Sequence, residues 1–239
     1  MAFDPTRVQA IFFDLDGTLA DTDDQFIHKA GEAIRKLSFL FPKSNPEQFL
    51  RWSLMVSETP MNLLAGLPDW LGVDDEIFRL FHWLSQHGGP KAQKTFWLMD
   101  GIDAMLKTLS GHYPLGVVTA RPEPDTLAFL DQFNLRPYFR VMASALTAPH
   151  TKPYPDPVLW AAQQLNLPPT NCLMVGDTTV DILSGQRAGA QTVGVLCGFG
   201  ERKELEAQGA SLVLERTALL TEFLRPPDPP PPAAQSPMP

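Results

Sequence analysis

Asp14 and Asp16 stand one residue apart at the close of an apolar run, VQAIFFD, that spans Val8 to Asp14. A run this short, followed at once by the turn-forming pair Asp16-Gly17, predicts a buried strand. Two carboxylates at a strand end can divide a group transfer between them, one attacking while the other moves protons. Once the chain leaves strand geometry after Asp14, the second carboxylate reaches the same reacting group from another side. Aspartate also ends strands and starts turns for structural reasons alone, so the pair by itself leaves both readings open.

Similar apolar runs recur later, among them Leu115 to Thr119 (LGVVT) and Cys172 to Gly176 (CLMVG). Arg140 to Ala143, Thr192 to Leu196 and Leu212 to Leu214 also read as short strands, with helical spacing between them. This alternation predicts an α/β fold, a Rossmann-like parallel sheet flanked by helices. In such a sheet the ends of the strands form the edge where ligands bind.

One stretch breaks the alternation. From about Thr22 to Leu98 the spacing is helical and no strand run is present, which predicts an inserted α-helical cap over residues 22–99 and a core built from 1–21 and 100–225. The aromatic residues of the insertion, among them Trp52, Trp70, Phe78, Phe81, Trp83 and Trp97, are read first as its own interior; an apolar substrate lining or a homodimer contact is the alternative. Residues 226–239 contain eight prolines in fourteen positions and can bury almost nothing, so the tail is expected to be disordered or polyproline II. A bare terminus is its first reading, and a contact for an unidentified proline-recognising partner the second.

Composition narrows the function classes. A formal charge of -8 disfavours general affinity for nucleic acid or an anionic membrane. Met1 to Gln9 shows no secretory pattern, and no segment is apolar for long enough to span a bilayer. The two cysteines, Cys172 and Cys197, match neither a zinc site nor a disulfide framework, which points to a reducing, cytoplasmic setting and two buried thiols. None of the five histidines sits at metal-ligand spacing with another ligand.

The run Asp14 to Thr22, DLDGTLADT, resembles the first motif of haloacid dehalogenase-type phosphatases, and three more motifs follow in order. They are Val117-Val118-Thr119; Lys152 within TKPYPDP, similar to the KPxPD form of the branch with a helical cap; and Gly176 to Asp181, GDTTVD. The similarity extends from Val8 to about Leu224 and covers relatives of phosphoglycolate phosphatase and β-phosphoglucomutase.

The resemblance implies a magnesium-dependent phosphomonoester hydrolase acting on a small phosphorylated metabolite, phosphoglycolate-like or a sugar phosphate. Asp14 would be the nucleophile that is transiently phosphorylated, and Asp16 the general acid and base. Mg2+ would be held by the carboxylates of Asp14 and Asp177 and the backbone carbonyl of Asp16. Thr119 would bind a phosphoryl oxygen, Lys152 would counter its charge, and Asp181 would orient Lys152 or the waters of the metal. Arg121 either touches substrate or cap, or caps a surface helix. The glycines of Gly194 to Gly200 do not make a dinucleotide fingerprint and read as a turn.

Two alternatives stay open: a β-phosphoglucomutase-like mutase, which uses the same four motifs, and an inactive relative serving as a binding module. A dehalogenase is disfavoured, because halide needs no acid and Asp16 would be left unexplained.

Overall fold

A computed structural model describes residues 2–21 and 96–224. The expected cap therefore lies outside the described residues apart from 96–99, and the proline-rich tail lies outside them altogether.

Six parallel strands form one sheet. They are β1 (Ala10–Phe13), β2 (Leu115–Val118), β3 (Phe139–Ala143), β4 (Cys172–Gly176), β5 (Gln191–Val195) and β6 (Leu212–Leu214). Their spatial order is β3-β2-β1-β4-β5-β6, so the chain builds outward from β1 in one direction and then returns to build in the other. The α-helices among the described residues are α1 (Ile102–Ser110), α2 (Glu123–Gln132), α3 (Asp156–Gln164), α4 (Thr179–Ala188), α5 (Arg202–Ala207) and α6 (Leu220–Phe223). Each strand predicted from the sequence is present, with ends displaced by no more than a residue or two.

The all-apolar strands follow from burial on both faces. In β1, Ile11 and Phe13 point into a core shared with Leu106 of α1, Phe129 of α2 and Leu220 of α6. Ala10 and Phe12 point the other way, toward Val158, Ala161 and Ala162 of α3 and Ala188 of α4. Period-two alternation thus feeds two apolar layers at once, and no face of the strand can be polar. Phe12 and Phe13 are fully buried, and each contributes about 1.5–3 kcal/mol relative to an exposed side chain. Helix α1 answers with apolar residues on one stripe, Ile102, Met105, Leu106 and Leu109, at helical spacing.

The chain leaves and re-enters the core along paired segments. Ala20 and Leu98 form an antiparallel bridge, flanked by bonds from the Asp21 N–H to the Trp97 carbonyl (2.9 Å) and from the Met99 N–H to the Leu19 carbonyl (3.1 Å). Gln132 of α2 fixes the returning segment by accepting from the Phe96 N–H (3.2 Å) and donating to its carbonyl (2.8 Å). Among the described residues no helix is long and apolar enough to cross a membrane.

Candidate active site

The order of strands reverses at β1, and the polar residues singled out in the sequence converge there, at the carboxyl ends of the strands. The sheet itself fixes their backbone. The Asp14 N–H donates to the Val175 carbonyl of β4 (2.9 Å), and the Thr119 N–H donates to the Ala143 carbonyl of β3 (2.9 Å). Asp14 and Thr119 are therefore the last rungs of neighbouring ladders. After Asp14 the chain turns sharply at Gly17, whose φ of 69° is the left-handed conformation that glycine tolerates.

Four of the expected residues form one buried cluster. The ammonium of Lys152 donates to Asp14 Oδ1 and to Asp181 Oδ1, each at 2.6 Å, and all three side chains are buried. The other oxygen of Asp181 accepts from the N–H (3.1 Å) and hydroxyl (2.7 Å) of Thr178, which caps α4. Asp181 is thereby locked by its own helix start and pinned to Lys152. Burial alone would disfavour the charge on Lys152, but Asp14 and Asp181 outweigh it and hold the ammonium above the usual lysine range. Burial pushes Asp14 up, the charges of Asp181 and Asp16 add to that, and Lys152 opposes it.

Asp177 completes the cluster from the end of β4. Carboxylate oxygens of Asp14, Asp177 and Asp181 lie within 4.8 Å of one another. Three buried carboxylates gather around one ammonium, which makes the cluster rich in negative charge in surroundings that penalise it. Hard oxygen donors with an excess of negative charge suit a divalent cation such as magnesium. Asp181 is the least suited to be a direct ligand, because both its oxygens already accept short bonds.

The glycines read as a turn prove to be part of this site. The Phe199 N–H donates to Asp177 Oδ2 at 2.8 Å, and the Thr18 hydroxyl donates to Oδ1 at 3.2 Å. A Cβ placed on Gly198 would lie 2.1 Å from Asp177 Oδ2, one on Gly17 2.3 Å from the same atom, and one on Gly200 2.0 Å from the Asp177 carbonyl oxygen. Bare backbone encloses Asp177 from two sides. Cys197, half-buried beside this loop, contacts the Gly17 carbonyl (3.5 Å) and the Thr217 hydroxyl (3.3 Å), while Cys172 is buried; both are free thiols.

Asp16 and Arg121 form a separate pair. Arg121 Nε donates to Asp16 Oδ2 and Nη2 to Oδ1, both at 2.5 Å, which is a two-pronged fork. Helix α2 begins only at Glu123, with Pro122 before it, so Arg121 is not a surface helix cap. Burial works against its charge, but the bonds and charge of Asp16, together with the charges of Asp125 and Asp14, outweigh it and raise its pKa. Thr119 lies buried two residues away, its hydroxyl accepting the Arg121 N–H at 3.2 Å.

Residues 11–195 match the family Haloacid dehalogenase-like hydrolase. The chain belongs to that family. Among relatives, it is 24% identical over 226 residues to phosphoglycolate phosphatase of Escherichia coli strain K12, covering 87% of this chain and 89% of the relative. It is 28% identical over 223 residues to pyrophosphatase PpaX of Anoxybacillus flavithermus, covering 91% and 97%. The fold is also that of a haloacid dehalogenase-like family hydrolase from Streptococcus pneumoniae, with a TM-score of 0.66 at 23% identity over 92% of this chain and all of the other. A haloacid dehalogenase-family hydrolase from Deinococcus radiodurans, solved with bound phosphate and sodium, gives a TM-score of 0.63 at 19% identity over 92% and 96%.

Proposed function

We propose that this hydrolase is a magnesium-dependent phosphatase of a small phosphorylated metabolite, phosphoglycolate-like or a sugar phosphate, which works through an aspartyl phosphate on Asp14. The observation that carries the reading is the buried cluster in which Lys152 bridges Asp14 and Asp181 at 2.6 Å beside Asp177, at the switch point of the sheet. The phosphatase and pyrophosphatase names of the relatives, matched over most of their lengths, support the same reaction class. Two free thiols accord with a cytoplasmic setting.

In the first half-reaction a carboxylate oxygen of Asp14 attacks phosphorus, the ester P–O bond breaks, and Asp16 in its acid form gives its proton to the departing alkoxide. In the second, Asp16 as carboxylate takes a proton from water while the water oxygen attacks phosphorus, the acyl phosphate bond breaks, and Asp14 is regenerated with release of phosphate. Lys152 holds Asp14 in position throughout and counters charge on the phosphoryl group; Asp181 fixes Lys152. Thr119 donates its hydroxyl to a phosphoryl oxygen. The carboxylates of Asp14 and Asp177 and the backbone carbonyl of Asp16 would hold Mg2+, which when bound lowers the repulsion between an anionic nucleophile and an anionic phosphate.

The test is a panel of phosphorylated metabolites assayed with and without Mg2+, with p-nitrophenyl phosphate as a general substrate and inorganic pyrophosphate included because one relative is a pyrophosphatase. Magnesium-dependent phosphate release with a preferred small ester is expected. Isomerised sugar phosphate without net phosphate release would indicate a mutase. No turnover of any substrate by the folded, metal-loaded chain would leave only a binding role.

A further inference from the structure

The mechanism needs Asp16 at the leaving-group oxygen, yet both of its carboxylate oxygens accept from one guanidinium. The fork takes one lone pair on each Asp16 oxygen and fixes the orientation of the carboxylate, so Asp16 has to give up at least one prong when it turns toward a leaving group. The surroundings determine which partner moves. The backbone of Arg121 is anchored on both sides, its N–H donating to the Thr119 hydroxyl (3.2 Å) and its carbonyl accepting from the Ala145 N–H (2.9 Å). Its guanidinium lies 5.3 Å from the centroid of the Phe96 ring, which supports the flat cation from one face. What remains exchangeable is the group at the fork.

A guanidinium presents the same parallel N–H pair to a carboxylate and to a phosphate. The side chains of Arg121 and Asp16 are 16% and 19% exposed, so an incoming anion can reach them. Lys152 is different: two of its three donors are given to buried carboxylates, and a point-charge ammonium cannot present a fork.

We propose that Arg121 is a positioning residue that exchanges partners, forking Asp16 until a phosphoryl group arrives, then passing to the phosphoryl oxygens and releasing Asp16 to the leaving group. Capture of the phosphate thereby delivers the acid. This rests on the phosphatase reading above and adds an order of events to it.

The test is a double-mutant cycle read as equilibrium binding of inorganic phosphate to the full chain with Mg2+, by calorimetry, in the wild type, Asp16→Asn, Arg121→Ala and the double variant. If phosphate has to win Arg121 from Asp16, removing the competing carboxylate tightens phosphate binding about tenfold when Arg121 is present, the scale of one charge-assisted contact. In the Arg121→Ala background there is nothing to contend for, and the same change is expected to alter binding by less than about twofold. An equal gain in both backgrounds, the mark of simple charge repulsion, overturns the exchange, as does no gain in either. If Arg121→Ala does not fold, Arg121→Lys keeps the charge with a single-point contact, and the gain there should fall between the other two; a gain equal to that in the Arg121 background is the contrary result. Failure of the wild-type chain to bind phosphate at all would instead count against the phosphatase reading, so the two failures are distinguishable.

Discussion

Replacing Gly198 with alanine tests whether Asp177 is a working part of the site, because the enclosure of that carboxylate leaves little room for adjustment. The added Cβ would stand 2.1 Å from Asp177 Oδ2, and ordinary contact begins at 3.4 Å, so something has to move by roughly 1.3 Å. If the carboxylate swings away, it strains or breaks the bonds it accepts from the Phe199 N–H (2.8 Å) and the Thr18 hydroxyl (3.2 Å). If the loop retreats instead, the 2.8 Å bond from the Phe199 N–H to Asp177 is lost, and Gly200, packed on the Asp177 carbonyl, is pulled with it. Either adjustment displaces Asp177 relative to Asp14.

A displacement of this size at a reacting centre typically lowers the rate about 100-fold, or roughly 2.7 kcal/mol of barrier. The assay is p-nitrophenyl phosphate hydrolysis over a series of Mg2+ concentrations, with thermal unfolding followed in parallel. Gly198→Ala should lose rate and need more Mg2+ for half-activation. The control is Gly111→Ala, where the new Cβ meets only the Thr108 carbonyl at 3.5 Å and the backbone φ of -72° suits alanine. That variant should keep its rate and gain about 0.4–1 kcal/mol of stability. A Gly198→Ala enzyme within about threefold of wild type at every Mg2+ concentration, a difference of well under 1 kcal/mol, would refute the assignment of Asp177.

Other residues give simpler expectations. Asp14→Asn should fold, as judged by circular dichroism, and lose at least about 10³-fold in turnover, because an amide is a poor nucleophile; near wild-type rates would remove Asp14 from its role. Asp16→Asn should lose about 10²–10⁴-fold on alkyl phosphates but much less on p-nitrophenyl phosphate, whose leaving group needs little protonation; equal losses on both would argue against an acid. Chelation should abolish activity and added Mg2+ restore it, and undiminished turnover in excess chelator is the contrary result. Lys152→Met leaves Asp14 and Asp181 buried without their shared cation, which should lower stability by about 3–5 kcal/mol in chemical denaturation without metal; an unchanged midpoint would show that the carboxylates do not depend on it.

Much of this architecture was legible because its signals are local. A strand buried on both faces has to be apolar throughout, so AIFF and CLMVG stand out against their polar flanks, and a polar residue directly after such a run falls at the functional edge. Asp14 stood out in that way, whereas Thr119 and Asp177 were singled out by the motifs of the resemblance, which fall directly after such runs. What escaped was created by adjacency across the sheet. Gly198 and Gly200 looked like a turn because nothing near them in sequence is crowded; the crowding comes from Asp177, brought close by the pairing of β4 with β5. The Phe199 contact runs through a backbone N–H and leaves no trace in residue type. Arg121 could not be decided from its neighbours, since the carboxylate it forks lies 105 positions away. The role left open for Asp181 narrows for the same reason, since its bond to Lys152 joins the start of α4 to the loop before α3.

The site divides into a part that the sheet makes rigid and a part that it leaves adjustable. Asp14 and Thr119 are fixed by ladder bonds to β4 and β3, and Lys152 is fixed by two buried carboxylates, one of them locked to the start of a helix. None of these can shift far without breaking a buried polar contact, and each such loss costs on the order of 1–3 kcal/mol. In the mechanism proposed above, attack on phosphorus, which needs reacting atoms held in line, falls to this fixed set. Asp16 stands three residues beyond the end of β1, past the sheet ladder, and its partner Arg121 is likewise three beyond the end of β2. Proton transfer has to serve first a leaving alcohol and then an attacking water, so the group that performs it benefits from being the one the sheet does not hold.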